Sequence, residues 1–396
     1  MQTRWRIGSL FGIGLFLDPL WFVILVFATL NFGLGYMQWG TILAWSAGLV
    51  MALLLFGSVL LHELGHSLVA RSQGIKVNSI TLFLFGGIAS IEEESKTPGQ
   101  AFQVAIAGPM VSIVLFVLLT LLGQALPVSS PASVMATDLA KINLVLALFN
   151  LIPGLPLDGG QVLKAAVWKI TGNRFQAVRW AARAGQTLGW LAIVLGICVD
   201  FFTGELVSGL WIVLLGWFGI RNASAYDRTI TLQEALLQLV AADAMNHDFR
   251  VVEADQTLRQ FADLYLLETA APQVYFAASD GRYRGMVSID DLRLVERSQW
   301  DQTLDRILHP LTAIPTVAES SSLVEVINKL DQQLPRITVL SPAGAVAGVI
   351  DRGDIVRALA EKLNLPFNDA QIKRIKEEGS YPPGLQLEAI AKATKP

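Results

Sequence analysis

The sequence has 396 residues, of which 53% are hydrophobic and 16% are charged, whereas about 25% of residues are charged in a typical soluble globular protein. Residues 1–222 hold 12 Lys and Arg against 9 Asp and Glu, and the remaining residues hold 18 against 24. Such an apolar half indicates a protein of the lipid bilayer, and the acidic second half argues against nucleic acid as a partner, because nucleic acids attract basic surfaces.

Two β segments and six apolar segments are predicted in the first half of the chain. Residues 4–17 are typical of an extended hairpin, because they contain glycines and lack a helical stripe, and residues 77–93 predict a second β segment. About 20 mostly apolar residues span a bilayer as a helix. Six segments reach or approach that length: Pro19–Tyr36, Ile42–Ala70, Phe102–Leu122, Leu139–Ile152, Leu188–Phe202 and Leu206–Ile220.

The lengths of these segments predict the class of the first domain. The fourth and fifth segments are short, which favours helices that end within the protein over helices that cross the bilayer alone. We therefore predict a membrane α-helical domain over residues 1–222, with about six transmembrane helices and small β segments.

The basic residues predict how this domain is oriented, because short cytoplasmic loops collect Lys and Arg. Basic residues occur at the N-terminus and after the second and fourth segments: Arg4, Arg6, Arg71, Lys76, Lys96, Lys164, Lys169, Arg174, Arg179 and Arg183. The intervening loops, 31–41, 123–138 and 203–205, contain none, and Lys141 is the one exception nearby. We therefore expect a multi-pass protein of the cell membrane with both termini in the cytoplasm.

A HELGH sequence at residues 62–66 lies within the second apolar segment. Ionisable side chains in hydrocarbon cost roughly 2.5 to 3.5 kcal/mol each on insertion scales, so they indicate a function. His62 and His66 are four residues apart and share one helix face, which is the spacing of zinc hydrolases, with Glu63 beside the ion as a base. The alternative is a histidine pair that only hydrogen-bonds between helices, but two of the chain's four histidines form this pattern.

A third metal ligand is expected among the carboxylates of the first half. Most of these fit a helix cap, a solvated run or an outer loop: Asp18, Glu92, Glu93, Glu94, Asp138, Asp200 and Glu205. Asp158 remains, in a segment where Pro153 and Pro156 break the helix and two glycines leave room for the backbone beside an ion. An ordinary Pro/Gly turn capped by an aspartate is the alternative.

Four motifs in the first half resemble a known family. They are HELGH, FGG at Phe85–Gly87, AGP at Ala107–Pro109 and NLIPGLPLDGG at Asn150–Gly160. In this order they are similar to the site-2 protease family of intramembrane zinc metalloproteases, in the subgroup that carries cystathionine-β-synthase (CBS) domains. One departure is Ser112, where many members have Asn three residues after the GP pair.

The resemblance implies an activity and roles for individual residues. One Zn²⁺ per chain would be held by His62, His66 and Asp158, with Glu63 as the catalytic base. Asn150 would help to hold the scissile carbonyl or its oxyanion, and hydrogen bonding between helices is the alternative for this side chain. The enzyme would cut within or near a transmembrane segment of a substrate protein, in regulated intramembrane proteolysis.

The β segment around Gly86 and Gly87 suggests where such a substrate binds. A transmembrane helix must unwind locally before its peptide bond reaches the ion, and an extended substrate needs backbone partners within the membrane. The edge of this β segment would supply them. A re-entrant loop that only packs against the helices is the alternative.

The second half contains an internal repeat with an offset of 63 residues, which relates Met245 to Leu308, Gly285 to Gly348 and Asp291 to Asp354. Each repeat predicts alternating short helices and strands, so the two together form one soluble α/β domain. We place a linker at 223–241, the repeats at 242–300 and 301–363, and a tail at 364–396. The tail is rich in Lys, Glu and Pro and is expected to be weakly ordered.

The repeats resemble a tandem CBS pair, a module that often binds adenine nucleotides between its halves. The ribose-reading position of that family is Ser or Thr followed three residues later by Asp, which matches Ser288 and Asp291. The second repeat has Asp351 before Asp354, and this added negative charge would repel a phosphate. Two kinds of role therefore stay open: a nucleotide site that involves Ser288, Asp291 and Asp354, or a purely structural role or one in forming a homodimer.

The leading hypothesis is thus an intramembrane zinc endopeptidase that releases a cytoplasmic regulator from the membrane. One alternative is a CBS-regulated transporter or channel that binds a permeating ion with the same side chains, but this does not explain why Glu63 directly follows a histidine. Another is an inactive relative that acts as a membrane chaperone. That role would require a lost ligand or base, and none is missing.

Overall fold

The computed structural model describes residues 5–83, 86–91, 95–204, 206–266, 274–330, 334–382 and 384–394. The chain forms two compact units, Met1–Ile230 and Thr231–Pro396. Phe85 of the FGG motif, the acidic run at 92–94 and Glu205 lie outside the described residues.

The first unit contains a four-stranded sheet. Its strands are β1 (Trp5–Leu10), β2 (Ile13–Leu17), β3 (Val77–Phe83) and β4 (Gly86–Ile91), in the order β1-β2-β3-β4. The predicted hairpin is confirmed, because β1 and β2 pair antiparallel around a turn with Gly12 at φ 78°. β4 lies at one edge of this sheet, so one side of its backbone has no partner strand among the described residues.

Seven helices accompany the sheet: α1 (Leu20–Gly35), α2 (Thr41–Ser72), α3 (Pro98–Ala125), α4 (Pro131–Asn150), α5 (Asp158–Thr171), α6 (Arg174–Thr203) and α7 (Leu206–Gln238). In the described part of the chain, α2, α3, α4 and α6 are long and apolar enough to cross a membrane, and α1 is a shorter apolar helix. Residues 223–238 of the predicted linker belong to α7.

The fourth and fifth apolar segments are longer helices than the sequence predicted. α4 has 20 residues and α6 has 30. Each begins in polar sequence that a hydropathy search does not count, at a capping side chain: Ser130 accepts a hydrogen bond from the N–H of Ser133, and Asn173 accepts one from Gln176. The prediction that these two helices are short is therefore wrong.

The second unit contains the repeated α/β pattern. Its elements are α8 (Ala241–Ala244), β5 (Arg250–Glu253), α9 (Leu258–Phe261), β6 (Tyr275–Ser279), β7 (Arg282–Val287), α10 (Ile289–Leu294), β8 (Leu308–Pro310), β9 (Thr316–Ala318), α11 (Leu323–Leu330), β10 (Arg336–Leu340), β11 (Val346–Asp351), α12 (Arg352–Leu363), α13 (Asp369–Glu378) and α14 (Leu387–Ala393). The strands form two sheets, with the orders β5-β6-β7-β8 and β11-β10-β9.

The two repeats exchange their leading segments. β8 begins the second repeat but pairs antiparallel with β7 of the first, which places His309 opposite Met286. Asn246, in the first repeat, pairs antiparallel with Val349 in β11 of the second. The 63-residue offset maps one pair onto the other, so each sheet is completed by the other repeat.

The C-terminal tail is ordered, which corrects the sequence prediction. α13 starts with a capping box in which Asn368 and Gln371 bond each other's backbone N–H groups. Ile372 and Ile375 on α13 are buried, and Ile375 joins a core that also contains side chains of α11, α12 and α14. The charged composition of the tail conceals this narrow apolar stripe, and burial of the stripe holds the segment in place.

Candidate functional site

Three ionisable side chains converge inside the first unit. His62 and His66 lie on one face of α2 and are buried, and Asp158 lies in the first turn of α5. Nε2 of His62 is 3.0 Å from Oδ2 of Asp158, and Nε2 of His66 is 3.3 Å from Oδ1. The two Nε2 atoms are 3.3 Å apart. One potential ligand atom from each residue thus lies within 4.8 Å of the others.

This donor set fits a zinc ion. Tetrahedral Zn²⁺ has bonds of about 2.0 to 2.1 Å to imidazole nitrogen and carboxylate oxygen, which places neighbouring ligand atoms roughly 3.3 Å apart. The two Nε2 atoms are 3.3 Å apart and lie 3.0 and 3.3 Å from the two oxygens of Asp158, so the three side chains are spaced closely enough to share such an ion. Three protein ligands also leave a fourth position for water or substrate, as catalytic zinc sites do.

The outer nitrogens of both histidines have hydrogen-bond partners on α3. Nδ1 of His66 is 2.6 Å from the carbonyl oxygen of Val104, and Nδ1 of His62 is 2.9 Å from Oγ of Ser112. A carbonyl only accepts, so the His66 ring carries its proton on Nδ1 and presents the Nε2 lone pair to an ion. Ser112, whose position departs from the family's motif, thus lies fully buried beside a histidine of the cluster.

Gly108 lets α3 approach the histidines closely. Val104, Gly108 and Ser112 are four residues apart and therefore share one face of α3. A Cβ at Gly108 would lie 2.2 Å from Nε2 of His66 and 2.6 Å from Nε2 of His62. Only glycine, which has no Cβ, leaves this space free. Gly108 of the AGP motif therefore allows the backbone of α3 to pack against the two histidines.

The break between α4 and α5 positions Asp158. The chain leaves α4 at Asn150, and Leu155 is buried, with its N–H donating to the carbonyl of Ala181 on α6 at 3.2 Å. α6 can come this close because Gly185 has no side chain: a Cβ at this position would lie 2.0 Å from the carbonyl oxygen of Leu155. Packing against α6 therefore fixes the loop that carries Asp158 to the histidines.

Glu63 lies against the edge strand β4. A Cβ at Gly87 would be 2.3 Å from Cγ of Glu63 and 2.9 Å from its carboxyl carbon. The strand backbone therefore runs along the Glu63 side chain, next to the histidine cluster on α2. The sequence pointed to HELGH and to the glycines separately, and the structure brings the two together.

Asn150 is the last residue of α4, and its amide donates to the carbonyl of Leu146 in the same helix at 3.0 Å. This hydrogen bond points along the helix, so a role at a substrate carbonyl would require the amide to turn. Because Asn150 ends α4, it lies at the start of the loop that carries Asp158.

The aspartates of the two repeats also have equivalent surroundings. Ser288 and Asp351 are helix N-caps that accept hydrogen bonds from the N–H groups of Asp291 and Asp354, at 3.1 and 3.0 Å. Oδ2 of Asp291 is 2.7 Å from Nε2 of His309, and Oδ2 of Asp354 is 2.5 Å from Nδ2 of Asn246. The sequence analysis did not single out either partner.

The 63-residue offset of the repeat would have allowed His309 and Asn246 to be predicted as an equivalent pair. It relates Asn246 to His309 in the same way that it relates Asp291 to Asp354. Each aspartate is therefore contacted by the leading segment of the other repeat.

Comparison with known proteins identifies both halves of the chain. The family model described as "Peptidase family M50" matches residues 50–138 and 125–195, and the model described as "CBS domain" matches residues 240–297 and 307–361. The motifs that suggested the resemblance, HELGH and NLIPGLPLDGG, lie within the first match.

Similar proteins carry names that agree with these matches. "Putative zinc metalloprotease sll0528" of Synechocystis sp. is 43% identical over 91% of this chain and 96% of its own length. "Putative zinc metalloprotease Rip3" of Mycobacterium tuberculosis is 33% identical over 87% of this chain and 91% of its own. A solved structure, "Site-2 Protease from Methanocaldococcus jannaschii", is 28% identical, has a TM-score of 0.42 and covers 57% of this chain and 96% of that one.

Replacing Gly108 with Ala should weaken zinc binding, because the new methyl group would occupy the space of both Nε2 atoms. We expect the dissociation constant for zinc to rise about 10- to 100-fold, in the range seen when the surroundings of metal ligands are disturbed. Competition with a chromophoric chelator measures it on the purified protein. Gly99→Ala is the control, since a Cβ at Gly99 meets open space on the same helix; an unchanged zinc affinity in Gly108→Ala would contradict the packing argument.

Proposed function

The chain belongs to peptidase family M50, the site-2 proteases, and on that premise we propose that this membrane zinc metalloprotease cleaves transmembrane segments of other membrane proteins. The observation that carries the proposal is the place of the His62, His66 and Asp158 cluster. Two of its members and Glu63 lie on α2, a helix long and apolar enough to cross a membrane. A protease with its site on such a helix can act on peptide bonds at the depth of the bilayer.

We assign the roles of ligands to His62, His66 and Asp158. When bound there, Zn²⁺ polarises the scissile carbonyl and makes water acidic enough to attack at neutral pH. The hydrogen bonds of the outer nitrogens, to the carbonyl of Val104 and the hydroxyl of Ser112, would hold the imidazole rings with Nε2 toward such an ion.

Glu63 is proposed as the general base and then the general acid. Its carboxylate oxygen accepts a proton from the attacking water as the new C–O bond forms at the substrate carbonyl. The same oxygen then delivers that proton to the peptide nitrogen as the C–N bond breaks, which leaves Glu63 ionised again. Asn150 is proposed to donate to the carbonyl oxygen during attack, after its amide turns away from Leu146.

We propose that the substrate binds as an added strand along β4. β4 is the edge of its sheet, and its backbone lies against Glu63 at Gly87. A substrate strand at that edge would gain main-chain hydrogen bonds and present a peptide bond beside the base. The partner is therefore a membrane protein whose transmembrane segment unwinds locally.

The remaining proposals concern orientation, domains and regulation. We propose a multi-pass protein with both termini in the cytoplasm, from the distribution of Lys and Arg. We keep the membrane domain at 1–222 and the CBS repeats at 242–300 and 301–363, within the second compact unit. An adenine nucleotide bound near Ser288 and Asp291, and a homodimer formed through the CBS pair, are the proposed routes of control.

Glu63→Gln should abolish cleavage while leaving zinc in place, because the amide keeps the size of the side chain but cannot take a proton. Loss of a general base lowers the rate by roughly 10²- to 10⁴-fold. Cleavage of a tagged single-span reporter by the purified protein in detergent, together with zinc content, measures both effects. If Glu63→Gln cut the reporter as fast as the native chain, Glu63 would not be the base.

Ser112→Ala should weaken zinc binding about 10- to 100-fold, because Nδ1 of His62 would lose the hydroxyl that it contacts on α3. Ser112→Thr should restore the affinity, since it keeps the hydroxyl. Ser67→Ala is the matched control: Ser67 is also fully buried, and its hydroxyl has no hydrogen-bond partner among the described residues. Equal losses of zinc affinity in Ser112→Ala and Ser67→Ala would show that the loss comes from disturbed packing and not from the missing hydrogen bond to His62.

Proline in β4 tests strand addition. Ile88 and Ala89 are consecutive, so their N–H groups point to opposite sides of the strand, one toward β3 and one toward the open edge. The variant whose proline removes the N–H at the open edge should retain zinc and lose cleavage, because a sheet tolerates proline at an edge position. Ile88→Ala and Ala89→Gly keep both donors and should cleave normally. Native cleavage rates in both zinc-loaded proline variants would exclude this mode of binding.

A further inference from the structure

The two aspartates related by the repeat differ in exposure. The Asp291 side chain is 43% exposed, beside His309, whereas that of Asp354 is 2% exposed. Both are three residues after a helix N-cap, and both contact the leading segment of the opposite repeat. Since their local structure is equivalent, something outside the repeats must cover Asp354.

Lys376 on α13 provides that cover. Its Nζ is 2.6 Å from Oδ1 of Asp354 and 3.3 Å from Oδ2 of Asp351. Arg357 lies farther away, with its Nη1 3.9 Å from Oδ1 of Asp354. A single ammonium group therefore bridges Asp354 and Asp351, the carboxylate that replaces Ser288 of the first repeat.

The contact involves the helix as well as the side chain. A Cβ at Gly353 would lie 2.5 Å from Cγ of Lys376 and 3.0 Å from the carbonyl oxygen of Ile372. α13 thus rests directly on the first turn of α12, where the second repeat would receive a ligand. The burial of Ile372 and Ile375 holds α13 in that position.

We propose that the C-terminal segment closes the second half-site of the CBS pair, with Lys376 in the place of a ligand at Asp354, so that the pair offers one ligand site, at Asp291. This proposal rests on nucleotide binding by the CBS pair. It also explains the presence of Asp351, because the negative charge that would repel a phosphate attracts Lys376 of the same chain. The sequence expectation that placed Asp354 in a nucleotide site is replaced by this internal contact.

Counting nucleotide sites tests the closure on the full-length protein in detergent, with AMP as the probe in equilibrium dialysis. The native chain should bind one AMP. The double variant Lys376→Ala/Asp351→Ser removes the lysine and restores the Ser-x-x-Asp pattern of the first repeat, so it should bind two. Lys373→Ala is the matched control and should bind one, because Lys373 is an exposed residue of the same helix that pairs with Glu377.

The outcomes separate this proposal from nucleotide binding itself. Two AMP molecules on the native chain, or one on the double variant, would overturn the closure and leave nucleotide binding intact. The absence of AMP from every variant would overturn nucleotide binding and the single open site with it.

A second measurement reports on the contact without any nucleotide. Burial raises the pKa of the Asp354 carboxyl, and the charge of Asp351 acts in the same direction, whereas the Lys376 ammonium and the backbone N–H of Asp351 lower it. A raised pKa in the folded state means that stability falls as the pH rises through it, so loss of the lysine is most damaging when Asp354 is ionised. Lys376→Ala should therefore lower the unfolding temperature of the second unit more at pH 8 than at pH 3.5, which lies below the ordinary pKa of an aspartate, and Lys376→Arg should not. An equal loss at both pH values would mean that Lys376 does not neutralise this pair.

Discussion

The structure of the first unit depends on the cost of placing ionisable groups where water is scarce. An unpaired polar atom in such surroundings costs more free energy than one hydrogen bond usually returns. The outer nitrogens of His66 and His62 meet this cost with the carbonyl of Val104 and the hydroxyl of Ser112. Their Nε2 atoms face the carboxylate of Asp158, an arrangement that a shared cation would stabilise.

That requirement determines the arrangement of the neighbouring elements. α3 must come close enough for its backbone and Ser112 to reach the outer nitrogens, which is achieved by glycine at position 108. The chain between α4 and α5 must be irregular to bring in Asp158, and its backbone is held by α6. The sheet then places the edge strand β4 along Glu63. Each of these features is a short-range consequence of two histidines on one helix.

Much of this could be predicted from the sequence, and what was missed has a common cause. The hairpin, the apolar helices and the pair of His62 and His66 follow from spacing and hydropathy, which are local properties. Asp158 is 96 positions from His62, and it could be predicted because the apolar half offers few other carboxylates. Ser112, Asn246 and Lys376 act on residues that are 50, 108 and 22 positions away. Such partners depend on how elements pack, and serine, asparagine and lysine are also common on surfaces. The order of the tail was missed because its apolar stripe is only a few residues wide.

The exchange of leading segments between the repeats bears on the order in which the chain is made. A chain that emerges from the ribosome with its N-terminus first can complete the sheet of the first repeat once residues 308–310 are available. Asn246 must wait for Val349, and Asp354 must wait further for Lys376 on α13. The second unit therefore cannot mature in halves, and the contact that buries Asp354 forms only after α13 has been made.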